Sequence, residues 1–143
     1  MTLVSTEWLS RNLNEVKIID ASWHLVKNRN AAKEYEKEHI ENAIFFDLDK
    51  NSNHSKELPH GHYLPSLDDH KKSVSEMGIS NSDRIIIYCC SDLISSCRTW
   101  FQFLYFGHDP NLVSVLDGGM KKWKLENRKV TNIKKKINYP FIM

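Results

Sequence analysis

The chain has 143 residues, 41% hydrophobic and 10% aromatic, with 20 basic against 18 acidic side chains and a net charge of +2. This length suits one domain around one core, and the near-cancelling charge excludes a dedicated nucleic-acid binder, in which Lys and Arg dominate and cluster. No apolar stretch has the length of a bilayer span, and Met1-Thr2-Leu3-Val4-Ser5 lacks the basic and apolar regions of a secretory signal, so no membrane partner is expected.

In chain order, Ser5 to Leu13 reads as a first helix, with Ser5 as N-cap and Glu7 favourably placed in the first turn. Val16 to Ala21 reads as a strand. Lys33 to His39 reads as a charged helix with Tyr35 and His39 one turn apart. Ala43 to Phe46 is a second apolar strand. Asp47 to Tyr63 is polar, with Pro59 and Gly61, and reads as a long loop of the kind that carries function. Ser66-Leu67-Asp68-Asp69 opens a helix with a capping box, turns Val74 and Met77 inward and ends at Gly78.

Arg84-Ile85-Ile86-Ile87-Tyr88 is apolar throughout apart from its first residue, as a central parallel strand covered on both faces should be. Ser95 to Phe106 follows as an apolar helix. Leu112 to Leu116 is a strand, Asp117-Gly118-Gly119 a tight turn, and Met120 to Asn127 a last helix. Alternation of this kind implies an α/β fold, a mainly parallel sheet with helices on both faces. Residues 1–130 are expected to form the domain, and 131–143, with Lys134-Lys135-Lys136, a basic tail or the start of an inter-domain linker.

Ligands of open parallel sheets bind beyond the C-terminal strand ends. There the central strand runs into Cys89-Cys90-Ser91-Asp92-Leu93-Ile94-Ser95-Ser96-Cys97-Arg98. A cysteine between a strand end and a helix start is placed for a thiolate nucleophile or sulfur carrier. Each cysteine alone reads equally as a small buried apolar residue, Cys97 most of all. Arg98 is too far from Cys89 and Cys90, and too near Cys97, for a phosphatase-type anion loop. The loop has no glycine, and Asp92 brings negative charge that opposes a thiolate. Three clustered cysteines are no disulfide framework and suit a reducing, cytoplasmic setting. Neither Cys-x-x-Cys nor a paired-His spacing occurs, so no metal or other cofactor is expected.

Several runs carry a resemblance. Tyr35-x₃-His39-Ile40-x₂-Ala43-x₂-Phe46, Ile19-Asp20-Ala21-Ser22-Trp23, Phe45-Phe46-Asp47-Leu48-Asp49, His62-Tyr63-Leu64-Pro65-Ser66, Arg98-Thr99-Trp100-Phe101 and Leu116-Asp117-Gly118-Gly119-Met120-x₂-Trp123 occur in this order along nearly the whole chain. Together they resemble the N-terminal domain of the two-domain mercaptopyruvate/thiosulfate sulfurtransferases of the rhodanese superfamily. The resemblance implies a single rhodanese-like domain and transfer of sulfane sulfur to a thiol or cyanide through a cysteine persulfide. It also implies a small sulfur-containing substrate and a second rhodanese domain or chain as partner, since in that family the second domain carries the active cysteine in a Cys-Gly-Ser-Gly-Val-Thr-type loop. Here Cys89 and Ser91 coincide with that loop, while Cys90 and Asp92 replace its glycines. Cys89 is thus the implied persulfide carrier and Cys90 a weaker candidate, with Ser91 and Arg98 as substrate-binding candidates. Asp49 and His62 match a proton-relay pair, with His60 the alternative that a gap-free alignment selects. His39 is expected to hydrogen-bond the loop that follows it. A non-catalytic rhodanese-like binding or regulatory domain is the competing reading.

Overall fold

A computed structural model describes residues 2–55, 61–91 and 94–137. His60 and Asp92, both raised by the sequence, lie outside the described residues.

Five parallel strands form the main sheet. They are β1 (Leu3–Val4), β2 (Lys17–Asp20), β4 (Ala43–Phe45), β5 (Ile85–Tyr88) and β6 (Val113–Leu116), in the order β1-β6-β5-β2-β4. Strand β5 is central and fully buried, as its unbroken Ile-Ile-Ile-Tyr run requires. Strand β3 (His39–Ile40) pairs antiparallel with β7 (Val130–Thr131) in a separate ribbon. The helices are α1 (Thr6–Arg11), α2 (Ala31–Lys37), α3 (Leu67–Glu76), α4 (Ile94–Tyr105) and α5 (Gly119–Leu125).

Strand alternation divides the core into two layers. Ile18, Ile86 and Leu116 face one side, against Leu9 of α1, Tyr35 of α2 and Met120 and Trp123 of α5. Ile19, Ile85, Ile87 and Val113 face the other, against Met77 just beyond α3, Phe103 of α4 and the half-buried Trp100. The sheet is therefore covered on both faces, as the chain pattern predicts. Among the described residues no helix is long and apolar enough to cross a membrane.

The predicted helix starts at Ser5 and Ser66 have a visible cause. Ser5 Oγ accepts from Trp8 N–H at 3.0 Å and Ser66 Oγ from Asp69 N–H at 3.1 Å. Gly78 takes φ +69° directly after the Met77 cap, closing α3 as expected. Elsewhere boundaries move. Helix α2 starts at Ala31, because Asn30 Oδ1 caps Lys33 N–H at 3.0 Å, and it stops at Lys37. Glu38 is extended so that His39 can enter the β3–β7 ribbon, which removes His39 from the predicted helix. Its ring still stacks on Tyr35, with centroids 4.1 Å apart. His39 Nδ1 meets the Tyr35 carbonyl at 2.7 Å and Nε2 the Ile133 carbonyl at 3.0 Å, not the loop that follows it.

Candidate functional site

Tyr88 ends β5, and the chain leaves the sheet at Cys89. Its Sγ lies 3.4 Å from the Ser91 carbonyl and 3.5 Å from Ser96 Oγ, in a residue only 1% exposed. Burial pushes the Cys89 thiol up, but hydrogen bonding from Ser96, Ser91 and Ser95 outweighs it and the net shift is downward. Ser95 and Ser96 sit in the first turn of α4, both buried, so the helix start turns its hydroxyls toward the sulfur. Sequence reading did not assign these two serines; two adjacent small polar residues opening a very apolar helix behind a cysteine were the signal.

Cys90 is in a different state. Burial first, and the nearby Asp20 second, push its thiol up to about 12. At neutral pH it is a protonated thiol and a poor nucleophile. Its N–H donates to Ser22 Oγ at 2.8 Å, and Ser22 donates in turn from its hydroxyl and its N–H to Asp20 Oδ1, at 2.5 and 3.0 Å. Asp20, at the end of β2, is 1% exposed, and its Oδ2 has no hydrogen-bond partner among the described residues. Burial raises its carboxyl above the ordinary value of 3.8. Asp20 and Ser22 thus brace the loop from below, a role carried by the Ile19–Trp23 run that only packing reveals.

The loop is also braced from the side. Gly118 and Gly119 take φ +87° and +58° and make the predicted turn before α5. A Cβ on Gly119 would come within 2.8 Å of the Cys89 carbonyl oxygen, which accepts from Met120 N–H at 3.1 Å. Glycine is needed there because the cysteine's own backbone occupies the side-chain space.

A second cluster forms on the long loop after β4. His62 Nε2 lies 2.8 Å from Asp49 Oδ1. A carboxylate only accepts, so the imidazole donates from Nε2. The Trp23 and His62 rings meet nearly at right angles, with centroids 4.6 Å apart and an interplanar angle of 86°. Arg98 donates to the His62 carbonyl from Nη2 at 3.1 Å and Nε at 3.4 Å, and from Nη1 to Gln102 Oε1 at 2.7 Å. Asp49 and His62 are therefore brought together, and Arg98 directs its fork at the His62 main chain and Gln102. Helix α4 links both groups, since Ser96 reaches Cys89 and Arg98 reaches His62 from its first two turns. Cys97, expected to be the most buried of the three, is instead exposed on α4. Ser91 keeps its carbonyl on Cys89 Sγ and its hydroxyl 3.2 Å from Ser95 Oγ.

Two hollows lie in the surface nearby and beyond. One, of about 370 Å³, is bordered by Cys90, Met120, Arg29, Lys121 and Lys124. The other, of about 650 Å³, lies between α3 and α4 beside His70, Phe103 and Phe106, away from the cysteine loop.

A doubly covered parallel sheet whose central strand delivers a cysteine to a helix start defines a thiol-bearing α/β domain. Residues 5–126 match the profile of the rhodanese-like domain, and the chain belongs to that family. It is homologous to the N-terminal domain of the 3-mercaptopyruvate/thiosulfate sulfurtransferases. It is 41% identical over 125 residues to "Thiosulfate/3-mercaptopyruvate sulfurtransferase 1, mitochondrial" of Arabidopsis thaliana, covering 85% of this chain and 32% of that protein. It is 38% identical over 139 residues to the 3-mercaptopyruvate sulfurtransferase of Rattus norvegicus, covering 91% of this chain and 46% of the rat protein. The crystal structure of SseA from Escherichia coli, a 3-mercaptopyruvate sulfotransferase, superposes with a TM-score of 0.86 at 29% identity, over 94% of this chain and 52% of that one. The chain thus spans from about a third to just under half of these curated relatives.

Proposed function

We propose that this domain, expected to span residues 1–130 and carried on by the pairing of Thr131 with His39, is a sulfurtransferase or the N-terminal part of one, with Cys89 as its sulfur carrier. The observation that supports this most is the Cys89 sulfur at the end of β5, 3.5 Å from the Ser96 hydroxyl at the start of α4, with hydrogen bonding that shifts the thiol downward. With thiosulfate, the thiolate attacks the sulfane sulfur, the S–S bond of the donor breaks, and sulfite leaves with the electron pair. With 3-mercaptopyruvate, the thiolate attacks the donor thiol sulfur and its C–S bond breaks. The departing enolate takes a proton, which the Asp49–His62 pair supplies, and the persulfide loses one in return. A thiolate or cyanide then attacks the terminal sulfur and restores Cys89. Ser91 is read here as a substrate contact. A second rhodanese domain or chain is the natural partner of the Asp49–His62 pair, and three free cysteines suit a reducing compartment such as the cytoplasm.

One observation favours the competing reading of a non-catalytic binding domain: Cys89 is only 1% exposed. Intact mass after incubation with thiosulfate or 3-mercaptopyruvate separates the two. Sulfur carriage gives an adduct of about 32 Da, one sulfur atom, which cyanide removes and Cys89→Ser abolishes. A wild-type chain that stays unmodified with both donors overturns the transferase reading for the isolated domain.

A further inference from the structure

Arg98 is half-buried, and among the described residues no carboxylate lies within ion-pair reach of it. Its guanidinium is spent on two neutral acceptors, the His62 carbonyl and Gln102 Oε1. Arginine can only donate, so it dictates the orientation of the Gln102 amide: the oxygen faces Arg98 and the nitrogen faces away. That nitrogen lies 2.9 Å from His70 Nδ1, to which it donates. His70 accepts at Nδ1 and is therefore the neutral tautomer with its proton on Nε2. Gln102 is completely buried and His70 nearly so, with its ring stacked on Phe106 at 4.4 Å. The chain thus runs one way, from a pinned imidazole on α3, through a buried amide and a guanidinium on α4, to the main chain of His62.

The destination of this chain is a strained backbone, whose next residue, Tyr63, is tied by its carbonyl to the Asn53 N–H at 2.8 Å. His62 has φ +66°, a left-handed conformation that costs a residue with a Cβ, and it follows directly on Gly61. Its ring meets Asp49 and Trp23, but those contacts fix the ring only if the main chain that carries it stays put. Two N–H groups of one planar fork converging on a single carbonyl provide that restraint, because the fork is rigid and its own orientation is set by Gln102.

We propose that Arg98 and Gln102, anchored on His70, are positioning residues that hold His62 in the left-handed geometry in which its Nε2 meets Asp49. They act through His62 and do not touch the sulfur. This rests on the reading of Asp49–His62 as the proton relay, and it replaces substrate binding as the role of Arg98. A lysine would keep the charge but could not place two donors on one carbonyl and a third on Gln102.

The test reads the tautomer of the His62 ring by long-range ¹H–¹⁵N spectra of the full chain, recorded on neutral imidazole. In the wild type the Asp49 carboxylate holds the proton on Nε2, so the two ring nitrogens differ widely in ¹⁵N shift. Asp49→Ala gives the averaged pattern of an unbiased ring. Arg98→Lys and Gln102→Met are expected to collapse the wild-type difference to the Asp49→Ala value. The signal of His24, which pairs with Glu34 at 2.9 Å, reports in each variant that the fold is intact. A full wild-type pattern at His62 in both Arg98→Lys and Gln102→Met overturns the positioning role and leaves the relay reading standing. A wild-type pattern identical to that of Asp49→Ala overturns both. Arg98→Lys alters a half-exposed side chain, so it keeps the test decisive if Gln102→Met fails to fold.

Discussion

Replacing Gly119 by alanine tests whether the Cys89 loop is held by close backbone approach. The added Cβ meets the Cys89 carbonyl oxygen at 2.8 Å, a backbone atom that cannot swing away and that already accepts from Met120 N–H. The left-handed φ of +58° adds about 1 kcal/mol for a residue with a Cβ. Relieving the overlap by shifting the loop adds about 1–3 kcal/mol, as for overpacked cores. The expected loss is about 2–4 kcal/mol, a large part of the roughly 5–15 kcal/mol that holds a typical domain. Gly107→Ala is the control. Its φ of +93° lies farther from the left-handed minimum, yet nothing comes within 4 Å of its Cβ. Backbone conformation alone would make Gly107→Ala the costlier substitution; the clash reverses that order. Urea denaturation of both variants, with thiol alkylation to follow Cys89, decides it. If Gly119→Ala costs no more than Gly107→Ala, the idea that the double-glycine turn exists to admit the cysteine backbone is wrong.

Other perturbations probe the same site. Ser96→Ala removes the hydroxyl that most favours the Cys89 thiolate, a charge-assisted hydrogen bond worth about 1.5 kcal/mol, so iodoacetamide labelling of Cys89 at neutral pH should slow roughly tenfold; an unchanged rate would show that Ser96 is idle. Cys90, with its thiol near 12, should stay unlabelled by mass mapping under conditions that label Cys89. Asp20 has a raised carboxyl, so the folded state holds a proton that the unfolded state releases. Its contribution is therefore fully present below 3.8 and is lost as pH rises through the higher folded value, and Asp20→Asn should remove that decline in a denaturation series across pH. His70 has the opposite sign. Burial, and then His108, lower it from 6.5 to about 4, so its contribution is present above 6.5 and fades as pH falls toward 4; His70→Gln should flatten that limb, and an unaltered acid slope would refute it.

Much of this architecture is legible in one dimension. Ile85–Tyr88 announces a central strand because a strand buried on both faces has no polar side to show. Ser5, Ser66 and Gly78 mark helix ends through bonds to residues only a few positions away. The misplaced elements are those whose partners are remote. Strand β1 has two residues and exists only because β6 offers Val115 and Leu116 to pair with. Helix α2 stops where it does because His39–Ile40 meets Val130–Thr131, some ninety positions onward. The site divides in the same way. Asp49, His62 and Cys89 could be named by their motifs, but Ser95, Ser96, Asp20, Ser22 and Gln102 look like ordinary side chains until the sheet ends and α4 converge.

The sequence by itself determined the α/β class, the four longer strands and five helices in order, the family resemblance and the cysteine at the end of the central strand. These depend on periodicity, capping and short motifs, all carried by neighbours in the chain. Only the tertiary structure decided which cysteine is disposed to ionise. Cys89 and Cys90 are adjacent and chemically identical, yet hydroxyls from the start of α4 favour ionisation of one sulfur, while burial and then the nearby Asp20 oppose it at the other. A thiol's charge state is set by the dipoles and charges within a few ångströms of it, and those arrive from segments that only folding brings together.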